Sequence, residues 1–296
     1  MAKRQVLRIV KERKLSDLIA PPRGGAVFEA SGVIAVGKHA FVVLDNVRRV
    51  ARIALHVRPD SQAHQWVGAS RQGEGYEAIT YSPGTGRFYL MIEAQKHPDG
   101  TFKGAIEEYD DHWRFRARRW VDYEFDKRNT GFEGLASVES RGRHYLLALC
   151  EGNNCRDSRK KKKRGQGRIH VLERRGRLWR PIARIKLPQQ VGFKDYAGLA
   201  VRGTRLAVVS QESSRLWIGR LRIGRWKIDG RGRIYEFPRT KKGKKRYCSV
   251  EGISWLSPQT LVSVSDLSKK RHPKRCERTD QSIHLISLAS RARRTQ

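Results

Sequence analysis

The 296-residue chain contains no apolar run approaching the roughly 20 residues of a membrane-spanning helix, so none is expected. The basic N-terminus, MAKRQVLRIVKERKLSDL, lacks the apolar core of a secretory signal, and a cytoplasmic location is expected. Cysteine is scarce: Cys150, Cys155, Cys248 and Cys276 are too few for a disulfide scaffold. Acids are scarce too, 29 against 63 Lys and Arg, which gives a formal charge of +34. Such an excess attracts polyanions such as nucleic acid, polyphosphate and acidic lipid surfaces, and equally phosphorylated small molecules. Helical periodicity is nearly absent, with KLSDLIA the one modest helix candidate. There is no G-x-S-x-G elbow, Walker loop, dinucleotide fingerprint or H-E-x-x-H, and no zinc-finger or helix-turn-helix pattern. Sequence-specific nucleic-acid recognition is therefore not expected. Seven Trp, nine Tyr, nine Phe and 38% hydrophobic residues nevertheless suffice for a packed core, which a disordered basic chain would lack.

What is present is a repeat. Five segments share one form: SGVIAVGKHAFVVLDN from Ser31, EAITYSPGTGRFYLMIEA from Glu77, EGLASVESRGRHYLLALCEGN from Glu133, AGLAVRGTRLAVVSQES from Ala197 and EGISWLSPQTLVSVSD from Glu251. Each reads as a small or acidic start, a short apolar strand, a turn and a second apolar strand ending at an acid. More polar strands follow each pair. Start-to-start spacings of 46, 56, 64 and 54 residues suit four-stranded units of a β-propeller. The expected fold is an all-β, single-domain propeller over 1–296. It has five blades, or six if the long third unit hides another. The N-terminal strand QVLRIVKERKL closes the last blade and removes a sheet edge.

In a propeller, first-strand starts and second-strand ends share one face. The repeat then converges Glu77, Glu133 and Glu251 with Asp45, Glu93, Glu151, Glu212 and Asp266 on one channel mouth, with Glu29 two residues ahead of the phase. Acids are 29 of 296 residues, so five at one chosen position would arise by chance about once in 10⁵, or about once in 10³ after allowing for free choice of phase and alignment. Two roles suit them. Strand-end acids can tie their own turns by accepting backbone N–H bonds. A ring of carboxylates can also hold a hard divalent cation, Ca²⁺ tolerating irregular oxygen geometry best. Asn46, Asn153 and Asn154 could add neutral oxygens.

Three basic runs fall in connections of the same face. They lie in loops at about 156–167, 239–246 and 268–280, and include Lys160, Lys161, Lys162 and Lys163, then Lys241, Lys242, Lys244 and Lys245, then Arg271 and Lys274. They read as solvated loops, or as a basic collar that recruits an anionic small molecule or polyanion to the acidic mouth. Cys150 with Cys155, and Cys248 with Cys276, are the simplest disulfide pairings; four free thiols are the alternative. His97 and His272 fall in acid-face loops as candidate general bases, and His39 and His144 fall on the opposite face. No catalytic residue is assigned.

On EGYEAITYSPGTGRFYLMIEA, GFEGLASVESRGRHYLLALCEGN and YCSVEGISWLSPQTLVSVSD the chain resembles the phytase-like β-propeller proteins, the group described by esterase-like activity of phytase and related to SdiA-regulated propellers. The resemblance implies a propeller, a Ca²⁺-bearing channel and phosphoester or ester hydrolysis. Glu77, Glu133 and Glu251 would take the first-strand role, and Glu93, Glu151 and Asp266 the second. The chain departs from the pattern at Ala197, in its basic excess and in the expected blade number, which is usually six among relatives. If it is not a hydrolase, it is a non-catalytic propeller that binds polyanions or protein partners.

Overall fold

The computed structural model describes residues 5–21, 27–59, 61–71, 73, 75–128, 131–151, 167–269 and 272–288. Among these residues the chain is almost wholly strand. It begins with β1 (Gln5–Val6) and β2 (Arg8–Lys14) and then runs through five four-stranded meanders. The first is β3 (Ala30–Val36), β4 (His39–Leu44), β5 (Arg48–Ala54) and β6 (Gln65–Arg71). The second is β7 (Ala78–Ser82), β8 (Arg87–Lys96), β9 (Phe102–Asp110) and β10 (Phe115–Phe125). The third is β11 (Phe132–Ser140), β12 (Arg143–Cys150), β13 (Arg168–Arg175) and β14 (Leu178–Lys186). The fourth is β15 (Gly198–Arg202), β16 (Arg205–Ser210), β17 (Arg215–Arg222) and β18 (Lys227–Glu236). The fifth is β19 (Val250–Ser257), β20 (Thr260–Ser265) and β21 (Ser282–Ser287), completed on its outer edge by β2.

The sequence explains the layering. Middle strands are covered on both faces by neighbouring meanders, so they read as unbroken apolar runs; β12 is buried from Tyr145 to Cys150. Outer strands alternate, as β14 does with Trp179 and Ile185 inward and Arg180 and Arg184 outward. Buried apolar residues form five clusters, each between two neighbouring meanders, the last joining the fifth meander to the first. First strands β3, β7, β11, β15 and β19 each lie against the next around a closed central ring. This is a β-propeller.

Three details depart from the sequence reading. The N-terminal strand does not serve the last meander alone. Gln5 and Val6 pair in parallel with Tyr235 and Glu236 of β18, and only β2 pairs with β21, so the N-terminus staples the fourth meander to the fifth. Leu7, between the two, is buried and makes the crossing apolar. The outer strands β10 and β14 also pair in parallel at Trp120–Leu178 and Val121–Trp179, which fuses the second and third meanders into one eight-stranded sheet. The helix candidate near the N-terminus contains only a single 3-10 turn, Leu15–Asp17. Among the described residues no helix is long and apolar enough to cross a membrane.

Candidate functional site: an acidic channel mouth

The register fixes the geometry of the mouth. Gly32 pairs with Val43, Ala78 with Met91, Gly134 with Leu149 and Gly198 with Val209. In each case the residue before the small one starts the first strand, and the residue two beyond its partner ends the second. First-strand slots are therefore Ser31, Glu77, Glu133, Ala197 and Glu251. Second-strand slots are Asp45, Glu93, Glu151, Gln211 and Asp266. The small residue after each first slot has a packing cause. A Cβ on Gly198 would stand 2.1 Å from the Glu251 carbonyl oxygen, and one on Gly252 would stand 2.8 Å from the Gly32 carbonyl carbon. The E-G motif thus places an acid where adjacent inner strands come closest.

Glu29, Asp45, Glu77, Glu93, Glu133, Glu151, Asp195, Glu212, Glu251 and Asp266 line one opening of about 370 Å³, with Lys269 the one cation in its wall among the described residues. All eight carboxylates expected at the mouth are there, but the fourth sector is built differently. Glu212 is not in phase: Gln211 holds the slot, and its Nε2 donates to Glu251 Oε1 at 2.7 Å. Glu212 follows it, and its backbone N–H donates to both carboxylate oxygens of Asp195 at 3.1 Å. Asp195 also accepts from the Ser210 hydroxyl. It supplies the acid that Ala197 lacks. Glu29 does the same for Ser31, whose hydroxyl donates to the Tyr76 carbonyl. In both sectors the acid sits two residues before an acid-free slot, a signal the sequence contains and a search for in-phase acids passes over.

The electrostatics follow from crowding. Burial, then the charges of Glu93, Asp45 and other mouth acids, raise the Glu77 carboxyl well above its usual range. Burial and the neighbouring carboxylates do the same to Glu133 and Glu251. Asp45 is pushed up to about 8 by burial, its hydrogen bond with Glu29 and the charge of Asp266. Glu93 rises to about 7 through burial and Glu151, and Asp266 to about 6 chiefly through burial. Burial also raises Asp195, against the hydrogen bonds it accepts. Lys269 acts the other way on Asp45, Glu251 and Asp266. Such a cluster requires bound protons or a bound cation.

The donor set fits a hard cation. Every charged oxygen is a carboxylate, and the buried Asp45 Oδ1 has no hydrogen-bond partner. Turn-tying accounts for part of the ring only. Asp195 accepts from the Glu212 backbone and Asp266 Oδ1 from the Leu267 N–H, whereas Glu77, Glu93 and Glu133 have no such bond described. Among the described residues, the one trio of ligand atoms within 4.8 Å of one another is Asp110, Asp111 and His112 in the β9–β10 turn. No three mouth acids bring ligand atoms that close, so an ion held there would need water, or inward movement of side chains, to complete its shell. Asn46 points elsewhere, donating to the Val27 carbonyl, and Asn153 and Asn154 lie outside the described residues.

The basic runs divide. Lys160, Lys161, Lys162, Lys163 and Arg271 lie outside the described residues. The other two loops are tied into one unit. Cys248 and Cys276 form a disulfide, Arg275 Nε donates to the Lys245 carbonyl at 2.9 Å, and Thr279 Oγ1 donates to the Arg246 carbonyl at 2.7 Å. Lys245 reaches the mouth's edge, where its ammonium donates to the Glu212 carbonyl. Burial, then Lys194 and Arg239, lower its pKa against the pull of Asp195 and Glu212. Lys241, Lys242, Lys244 and Lys274 are exposed and do not line the opening. Cys150 is a buried half-cystine, and Cys155 lies outside the described residues. His97 is paired with Asp99 at 2.9 Å in the β8–β9 hairpin, and His272 meets the Ser249 hydroxyl at 3.4 Å; neither lines the mouth. His39 and His144 lie at the opposite face, at first-hairpin turns.

Fold and mouth together define a β-propeller with an acid-lined channel entrance. The architecture is similar to that of the glutaminyl cyclase of Myxococcus xanthus, with a TM-score of 0.55 at 10% identity over 97% of this chain and 99% of that one. It is also similar to a GH43_1 enzyme of Xanthomonas citri in complex with xylose, with a TM-score of 0.51 at 14% identity over 94% and 92%. No protein-family model and no curated protein sequence matches the chain.

Proposed function

We propose that the acidic mouth is a divalent-cation site, Ca²⁺ by its donor chemistry, at which the propeller binds an anionic, phosphate- or carboxylate-bearing ligand. The observation that carries this reading is ten carboxylates around one opening in a chain of charge +34, with a single lysine in the wall among the described residues. A protein that only gathered polyanions would gain nothing from such a concentration of like charge. Glu77, Glu133, Glu251, Asp45 and Asp266 would hold the ion, and Lys269 and Lys245 stand where an anion enters. Bound there, the ion would polarise a phosphoryl or acyl oxygen. Glu93, outside that set of five and raised to about 7 by burial and Glu151, would be the group able to accept or return a proton at neutral pH. With the phytase-like resemblance, this favours metal-assisted hydrolysis of a phosphoester or ester.

The test is thermal unfolding in EDTA and in Ca²⁺, with turnover of p-nitrophenyl phosphate and p-nitrophenyl acetate measured alongside. An ion at 100 times its Kd should raise Tm by about 5 °C in wild type. The Glu133→Gln/Glu251→Gln variant should show little or none of that rise. No rise in wild type refutes the cation site. A rise without turnover restricts the protein to cation-dependent binding.

A further inference from the structure

The face opposite the acids carries a second, chemically different surface. Hairpin turns β11–β12, β13–β14, β15–β16 and β17–β18 all end there. Arg141, Arg174, Arg177, Arg202 and Arg225 on these turns are exposed, and among the described residues none has a carboxylate partner within salt-bridge distance. Two clefts open between the turns, of about 440 and 380 Å³, and share Arg143 as their common wall. In one the half-buried His144 ring lies on Tyr89 with centroids 4.9 Å apart; in the other the half-buried Trp226 meets Tyr145 at 5.0 Å. Burial and the charge of Arg174 push His144 down to about 4, so it presents a neutral ring at physiological pH. Arg141 and Trp226 both hold left-handed backbone, at φ 51°, where glycine or asparagine would sit without strain.

We propose that this face binds single-stranded nucleic acid, with its backbone along Arg141, Arg143 and Arg174 and bases against the Trp226 and His144 rings. Arginines alone would suit any polyanion. Trp226, half-buried in a cleft that Arg141 and Arg143 also line, adds a ring against which a base could stack and which polyphosphate or sulfated sugar could not use. A duplex, whose bases are already stacked on one another, would offer this face only its backbone. The site involves neither the acidic mouth nor the lysine loops beside it, so it stands or falls apart from the cation reading.

Fluorescence anisotropy with a labelled 12-nucleotide oligothymidylate tests it, in EDTA and in Ca²⁺. Trp226→Ala should weaken binding about tenfold. Arg141→Ser/Arg174→Ser, confined to exposed turns, should weaken it further and reduce the slope of log K against log salt by about 1.4. Both variants should melt within a few degrees of wild type. Should Trp226→Ala prove unstable, the arginine variant and its salt slope carry the test alone. Lys241→Ala/Lys242→Ala/Lys244→Ala should leave binding unchanged, as should EDTA. The proposal is overturned if inorganic polyphosphate or duplex DNA binds as tightly as the single strand. It is equally overturned if the lysine-loop variant loses binding and the arginine variant does not.

Discussion

At the scale of single residues, the mouth is governed by two slots per meander and by what may not be large between them. Gly198 lies against the Glu251 carbonyl, where an added methyl would stand at 2.1 Å from backbone that cannot yield cheaply. Gly198→Ala is therefore expected to cost about 2 kcal/mol or more and to lower Tm by several degrees, measured by thermal or urea unfolding. Gly37→Ala makes a useful comparison. Its φ is +58° with nothing near its Cβ, so any cost there is conformational and should be about 1 kcal/mol. The acids of the ring were legible because strand ends can be counted without knowing the register. The fourth sector was not. The sequence SQES offers Glu212 as the strand-end acid, and only the Gly198–Val209 pairing shows that Gln211 holds the slot. Asp195 went unseen for a related reason: it lies two residues upstream of its slot, the same offset that Glu29 shows in the first sector. Gln211→Glu would restore the regular ring, but it would also replace a donor to Glu251 with another carboxylate. It is expected to destabilise the protein in EDTA by about 1 kcal/mol or more and to tighten Ca²⁺ binding, read by melting and by calcium titration.

Among elements, meander order could be read from alternating apolar strands, because each strand's burial depends on its place between neighbours. What could not be read was pairing that crosses from one meander to the next. Nothing local in QVLRIVKERKL says that its first two residues join β18 while the rest joins β21. Likewise β10 and β14 pair through only Trp120 and Val121 with Leu178 and Trp179, a contact set by the tilt of whole sheets. The 239–246 and 268–280 loops were expected as solvated segments or as a basic collar, with Cys248–Cys276 a simplest pairing beside them. Their described residues form one built corner, held by that disulfide and by hydrogen bonds from Arg275 and Thr279. The bridge closes a segment with a sequence separation of 28, which in the chain-entropy account contributes about 3–4 kcal/mol. Cys248→Ser/Cys276→Ser is predicted to lower stability by an amount of that order. It should also weaken anion binding at the mouth, because Lys245 depends on that corner for its position beside Glu212. An unchanged affinity for the anion would detach the corner from the ligand site.

Across the whole molecule, charge is segregated: carboxylates at one mouth, arginines on the opposite face, and a large basic surplus overall. Its consequence is a pH dependence whose direction reverses with metal. Asp266, Glu93 and Asp45 titrate at about 6, 7 and 8 in the folded protein, chiefly because burial disfavours their charged forms. In the unfolded chain they would titrate near 4. Between those limits the folded state holds the extra protons, so rising pH favours unfolding. His144 and His170 oppose this at the acidic end. Burial and nearby arginines hold both at about 4, so below about pH 6.5 the unfolded chain takes up protons that these rings refuse. The two effects offset each other between about pH 4 and 6.5, and above that only the carboxylates remain. In EDTA, stability should fall from pH 6.5 to 8.5 by on the order of 1.4 kcal/mol per pH unit for each extra proton the folded state holds, or about 3 °C per unit. Saturating Ca²⁺ should flatten or invert the slope, because an ion holds the same carboxylates ionised and binds more tightly as they deprotonate. Melting curves across that range, with and without Ca²⁺, distinguish the cases. A fall in EDTA that Ca²⁺ leaves untouched would mean that the crowded carboxylates manage their repulsion with protons alone, and the mouth would then be acidic for a reason other than a cation.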